Sequence, residues 1–179
     1  MPSGVAARRY AQAVFEMADE RGALDQWERD LGRLADALGD PAIAAFFASP
    51  KTPTAEKLAT ARRLLGPDGQ SLVANLAGLL IERGRFGLLP ALYAAFHEMV
   101  LARRGIAVAD VTTAVPLDAQ ERAIVQQRLR QFVGKDIELR TSVDPGIIGG
   151  IIARVGDQLI DGSVTSQLRR LRDQLVTAR

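Results

Sequence analysis

His97 is the only histidine in the chain, and it sits mid-helix between Phe96 and Glu98. One imidazole cannot build a two-histidine zinc site, and with no cysteine present there is no thiolate nucleophile, disulfide or sulfur ligand. A partly exposed structural role is the expectation for His97. Adjacent carboxylates such as Asp19 and Glu20 fall on a polar helix face, where solvation accounts for them. Neither GxGxxG nor GxxxxGKS/T occurs, so no strand-to-helix turn is marked as a phosphate cradle. Gly146-Ile147-Ile148-Gly149 spells the GXXG of KH-type RNA-binding modules, but that loop clamps a nucleic-acid backbone between helices, and here a strand follows. The residue types therefore predict no catalytic group, no metal ligand and no cofactor.

With 47% hydrophobic and 25% charged residues, the chain has the composition of a globular protein that can bury a real core. Aromatics are only 5%, which favours helices packed through aliphatic side chains. The pI of 9.4 resembles that of a nucleic-acid binder, yet 23 basic against 21 acidic residues leave a charge of only +2. Arginine supplies 20 of those cations, and a guanidinium that barely deprotonates raises the pI without adding charge at neutral pH. Arginine suits a protein interface equally well. The most apolar stretch, LVANLAGLLI, is about half the length that spans a bilayer. The chain is expected to be soluble by itself, with any membrane role reached through a partner.

Residues 1–105 read as a run of helices, and residues 106–179 as a second, smaller domain. A first helix from Val5 to Arg21, preceded by Ser3, turns Tyr10, Ala13, Val14, Met17 and Ala18 to one face. Leu24, Trp27, Leu31, Leu34 and Leu38 alternate by three and four in the second. A short apolar helix spans Ile43 to Ala48, and the next starts with Thr52 as cap and Pro53 at its first position. The fifth, Ser71 to Arg83, is apolar over more than one face, which implies central burial or a groove left for a partner helix. The sixth, from Leu88 to Arg104, points Leu92, Ala95, Phe96, Met99 and Val100 inward.

Beyond Gly105, Ile106 to Val115 reads as a strand, and Asp118 with Glu121 has capping-box spacing ahead of a helix stopped by Gly134. Ile137 to Val143 alternates as a second strand, and Asp144-Pro145-Gly146 is expected to turn it into a hairpin with the next. Gly149 and Gly150 lack side chains mid-strand, which suggests a bulge or the close approach of another backbone. Ile151, Ala153 and Val155 then share one face. Gly156-Asp157 ends the strand, and Asp161-Gly162-Ser163 offers oxygens to cap a helix carrying Val164, Leu168, Leu171 and Leu175 on one side. The resulting order is β-α-β-β-α.

ARRYAQAVFEMA (7–18), Trp27, Leu31, NLAGLLIERGRFGLLP (75–90), GGIIARVGDQLIDGSV (149–164) and the RLRDQL tail together resemble the bacterial ATP synthase delta subunit family, whose mitochondrial counterpart is the oligomycin-sensitivity-conferring protein. The likeness covers essentially the whole chain, and its last motif is the most specific. Ala153 departs from it, being smaller than the apolar residue expected there. The resemblance implies a mainly α protein: a six-helix N-terminal bundle followed by a small α+β C-terminal domain. It implies a non-catalytic peripheral-stalk subunit of a proton-translocating rotary machine, at the cytoplasmic face of the bacterial inner membrane. It also implies two partners, the amphipathic N-terminal helix of an alpha subunit and the b-type stalk subunits, without nucleic acid and without obligate self-association. The groove between the first and fifth helices then falls to Tyr10, Ala11, Val14 and Phe15 with Leu72, Leu76, Leu79 and Leu80. Gly149, Gly150, Gly156, Asp157, Asp161, Gly162 and Ser163 become structural motif residues. The competing reading is an arginine-rich RNA- or ribosome-binding adaptor, whose binding would weaken steeply with salt.

Overall fold

Ala7, Ala11, Val14 and Ala18 recur at i, i+4, i+7 and i+11 along α1 (Pro2–Glu20), and all four are buried. Three alanines on one stripe remove side-chain bulk and let this helix approach its neighbours closely. The computed structural model describes residues 2–67, 69 and 71–177. It is mostly helical, with eight α-helices among the described residues and a small four-stranded sheet near the C-terminus. The chain divides into two compact units, Met1–Val100 and Leu101–Arg179.

In the first unit α1 is followed by α2 (Leu24–Ala37), α3 (Pro41–Ala48), α4 (Thr54–Leu65), α5 (Ser71–Glu82), a 3-10 turn (Phe86–Leu88) and the start of α6 (Leu89–Arg103). Trp27, Leu31, Leu34, Leu65, Val73, Leu80, Leu89, Leu92, Phe96 and Val100 fill one continuous core. The 3-10 turn, which sequence periodicity does not reveal, drives Phe86 inward to stack on Phe47 with ring centroids 4.1 Å apart. Asp40 caps α3 by accepting from the Ala42 amide at 2.7 Å. Two local readings are corrected. The buried stripe of α1 passes through Ala7 and Ala11, leaving Ala13 and Met17 exposed. Pro53 takes the cap position of α4, one residue earlier in the helix frame than expected, and no side-chain hydrogen bond caps this helix.

The second unit runs β1 (Ile106–Thr113), α7 (Ala119–Val133), β2 (Asp136–Val143), β3 (Ile151–Val155), β4 (Gln158–Asp161) and α8 (Val164–Thr177). The capping box at Asp118 and Glu121 forms in full, and Gly134 closes α7 in the left-handed conformation at φ +72°. The strand order is β2-β1-β3-β4, with β1 and β2 parallel and the other pairs antiparallel. Ala109, Val111, Ile137, Ala153 and Val155 face Val125 and Leu129 of α7 to make the small core.

This topology overturns the expected hairpin after β2. β2 and β3 both pair with β1, so residues 144–150 cross the end of β1 instead of turning back on β2, and the Asp144 amide donates to the Thr113 carbonyl at 2.9 Å. The true hairpin is β3–β4, turned at Gly156-Asp157 with Gly156 at φ +58°. The expected order therefore lacked one strand. Gly146–Gly149 lies in the β2–β3 connection, with Ile147 buried and Ile148 exposed, and so is not a loop between two helices.

Gly149 and Gly150 precede β3 and make the tightest junction in this unit. Gly150 has φ +86°, and a Cβ there would stand 2.5 Å from the Gly162 carbonyl oxygen and 3.0 Å from Ser163 Cα. Gly150→Ala therefore meets both an unfavourable backbone and a backbone clash, and should destabilise the C-terminal unit by more than about 2 kcal/mol. Gly149→Ala, whose Cβ would meet only Val164 Cγ2 at 3.4 Å, should be far milder. Urea unfolding of the two variants checks the ranking, and equal midpoints would refute it.

Candidate docking surface

Along α5, Val73, Ala77 and Leu80 are buried at i, i+4 and i+7 and form the helix's inward face. Gly78 admits α4 on one side: a Cβ there would lie 3.3 Å from Leu58 Cδ2. Leu72, Leu76 and Leu79 fall at i, i+4 and i+7 on another side, adjacent to the inward face and turned away from Gly78. Leu72 and Leu76 are half-buried against the core, while Leu79 is 39% exposed. These three leucines make an apolar strip that the chain's own packing leaves partly open.

On α1 the expected groove residues separate into three environments. Ala11 and Val14 are buried, as is Leu80 on α5, so these three serve the core and present no surface to a partner. Phe15 packs edge-on to Phe96 of α6, with centroids 6.1 Å apart. Tyr10 lies on the opposite flank of the alanine stripe, where Ala13 and Met17 are its i+3 and i+7 neighbours. Met17 is 41% exposed. The sequence reading placed Ala13 and Met17 inward; their membership of an apolar but uncovered flank becomes visible only once the alanine stripe is known. α1 and α5 both feed the same core, yet the close helix neighbour of α5 is α4 and that of α1 is α2.

Among the described residues no group of three or more metal-ligating side chains gathers. His97 Nδ1 lies 2.6 Å from Glu28 Oε1 and stacks on Tyr93 with centroids 5.8 Å apart, joining α6 to α2. Tyr93 also lies over Gly32, where a Cβ would meet its ring at 3.4 Å. This histidine is therefore engaged in helix–helix packing.

In the C-terminal unit the motif residues build a junction. Asp161 accepts from the Ser163 amide at 2.9 Å and from the Ser166 hydroxyl, while Ser163 Oγ accepts from the Ser166 amide at 3.2 Å and caps α8. Leu168 and Leu171 on α8 are exposed, and the side chain of Leu175 lies outside the described residues. A mainly apolar cleft of about 390 Å³ opens between α7 and β3–β4, lined by Leu117, Ile124, Val125, Ile151, Ala153 and Ile160.

Fold and surface together define a helical unit followed by a small mixed unit, and no helix among the described residues is long and apolar enough to cross a bilayer. The protein-family model for the ATP synthase delta (OSCP) subunit matches residues 6–175, and the chain belongs to that family. ATP synthase subunit delta of Dehalococcoides mccartyi is 37% identical over 173 residues, covering 97% of this chain and 95% of that protein. The subunit delta of Laribacter hongkongensis is 38% identical over 165 residues, covering 92% and 93%. A chain of the cryo-EM structure of the Toxoplasma gondii mitochondrial ATP synthase hexamer superposes with a TM-score of 0.73 at 28% identity, covering 95% of this chain and 97% of that one. These relatives support a peripheral-stalk role within an ATP synthase, and hence a part in ATP synthesis and proton transport.

The two serine hydroxyls and the Ser163 amide hold the Asp161 carboxyl down to about 2, Ser166 contributing most, with Arg170 adding attraction. A depressed carboxylate stabilises the fold in full above its unfolded value of ~3.9 and loses that contribution as pH falls through the folded value. Between pH 4 and about 2 the native chain should lose α8 helicity by circular dichroism. Asp161→Asn should lack this acid-dependent component, and an unchanged acid limb would contradict the junction's role.

Proposed function

We propose that this chain is the non-catalytic joint of the peripheral stalk, at the cytoplasmic face of the bacterial inner membrane. Its N-terminal domain, residues 1–105, acts as a six-helix bundle that docks the amphipathic N-terminal helix of the catalytic-head alpha subunit. Its C-terminal domain, residues 106–179, meets the ends of the b-type stalk subunits. The observation that carries this reading is the open leucine strip of α5, Leu72, Leu76 and Leu79, on a member of the delta family. Tyr10, Ala13 and Met17 are proposed as the facing wall on α1, with Phe15 supporting α1 from behind against Phe96.

The task is static. A stator must resist torque, so its contacts have to dissociate slowly, and nothing in it need react. A helix in such a groove that buries about 400 Å² of apolar surface gains ~10 kcal/mol at ~25 cal/mol per Å², before the costs of ordering and association. Apolar docking of this kind is insensitive to salt, unlike phosphate recognition by arginines.

Leu79 is the cleaner probe of the strip, since Leu76 also supports the core and a charge there would unsettle the fold itself. Leu79→Asp should weaken binding of a synthetic alpha N-terminal peptide at least ~30-fold by calorimetry, because docking would bury an unpaired carboxylate. The unfolding midpoint should barely move. Unchanged affinity would remove α5 from the interface.

A further inference from the structure

The open side of α5 is not uniformly apolar. Asn75 lies three residues after Leu72 and four before Leu79, so helical geometry places it between them on the same face. It is exposed, and among the described residues its side chain makes no hydrogen bond. Its amide carries two N–H donors and one carbonyl acceptor.

Three leucines alone read register poorly. An apolar helix displaced by one turn along Leu72, Leu76 and Leu79 would still cover them, because leucine offers contact area without direction. An amide on the outer edge of the strip, flanking Leu72 and Leu79, changes this. Covered by an apolar residue it loses its water and gains no partner; covered by a polar side chain it is satisfied. A single polar residue at an apolar seam fixes alignment in coiled coils by the same logic.

Resting on the docking reading above, we propose that Asn75 is the specificity-determining residue of this surface. It sets the register of the incoming helix by requiring one polar side chain opposite it. The partner is accordingly an amphipathic helix whose apolar face is interrupted once by a hydrogen-bonding side chain.

The test uses the full chain and calorimetry with the synthetic alpha N-terminal peptide, together with peptides in which each polar residue within or beside its apolar face is replaced singly by leucine. One replacement should weaken binding to the native chain by about 10-fold or more, the cost of an unsatisfied amide. Against Asn75→Leu the same replacement should change affinity by less than about 2-fold, since no amide remains to be satisfied. Asn75 lies outside the core, so the variant's unfolding midpoint should match the native one. Undiminished discrimination by Asn75→Leu, or none by the native chain, would overturn the assignment while leaving the strip intact if Leu79→Asp still weakens binding. Should Leu79→Asp also bind normally, the docking reading falls and Asn75 with it.

Discussion

α5 carries more apolar surface than its own core can cover, and the functional reading of this protein depends on that mismatch. Val73, Ala77 and Leu80 already complete the inward face, and Gly78 is used to bring α4 close. Leu72, Leu76 and Leu79 remain as a strip beside the core. An apolar strip on a soluble helix costs free energy while it faces water, and association with another helix removes that cost. The alanine stripe of α1 works in the same direction: by keeping the inward side thin, it leaves Ala13 and Met17 exposed on a flank whose Tyr10 is only partly buried against the core.

The second unit meets a different constraint. Its core is small, and its sheet is completed by a junction in which Gly150 passes beneath the Gly162–Ser163 backbone. Asp161, Ser163 and Ser166 then hold the first turn of α8 through local hydrogen bonds. Hydrogen bonding and glycine geometry do here what hydrophobic bulk does in the helical unit. In the motif that most resembles the family, these contacts tie the end of β4 to the start of α8.

What was legible in the sequence follows the range of the interactions. The capping box at Asp118 and Glu121, the stop at Gly134 and the cap at Ser163 are local, and each forms as the spacing predicts. The close backbone approach implied by Gly149-Gly150 is present at Gly150. Strand pairing is not local, and there the reading failed: Asp144-Pro145-Gly146 looks like a hairpin turn, but the next strand reaches the far side of β1. β4 is four residues long, too short for a periodic signal, and the 3-10 turn at Phe86 leaves none. On α1 the larger Tyr10 and Met17 outweighed alanine in the apolar pattern, although alanine is what close helix packing selects. The breadth of apolar surface on α5 was legible; which leucines face outward required the position of α4.

On the proposed reading the alpha N-terminal helix rests on the open flanks of α5 and α1. Chemical-shift mapping of the isotopically labelled full chain, titrated with unlabelled alpha N-terminal peptide, would locate that contact residue by residue. The largest changes should fall on Leu72, Asn75, Leu76 and Leu79 and on Tyr10, Ala13 and Met17. Perturbations confined to residues 106–177, or spread over the arginines and abolished by salt, would contradict it.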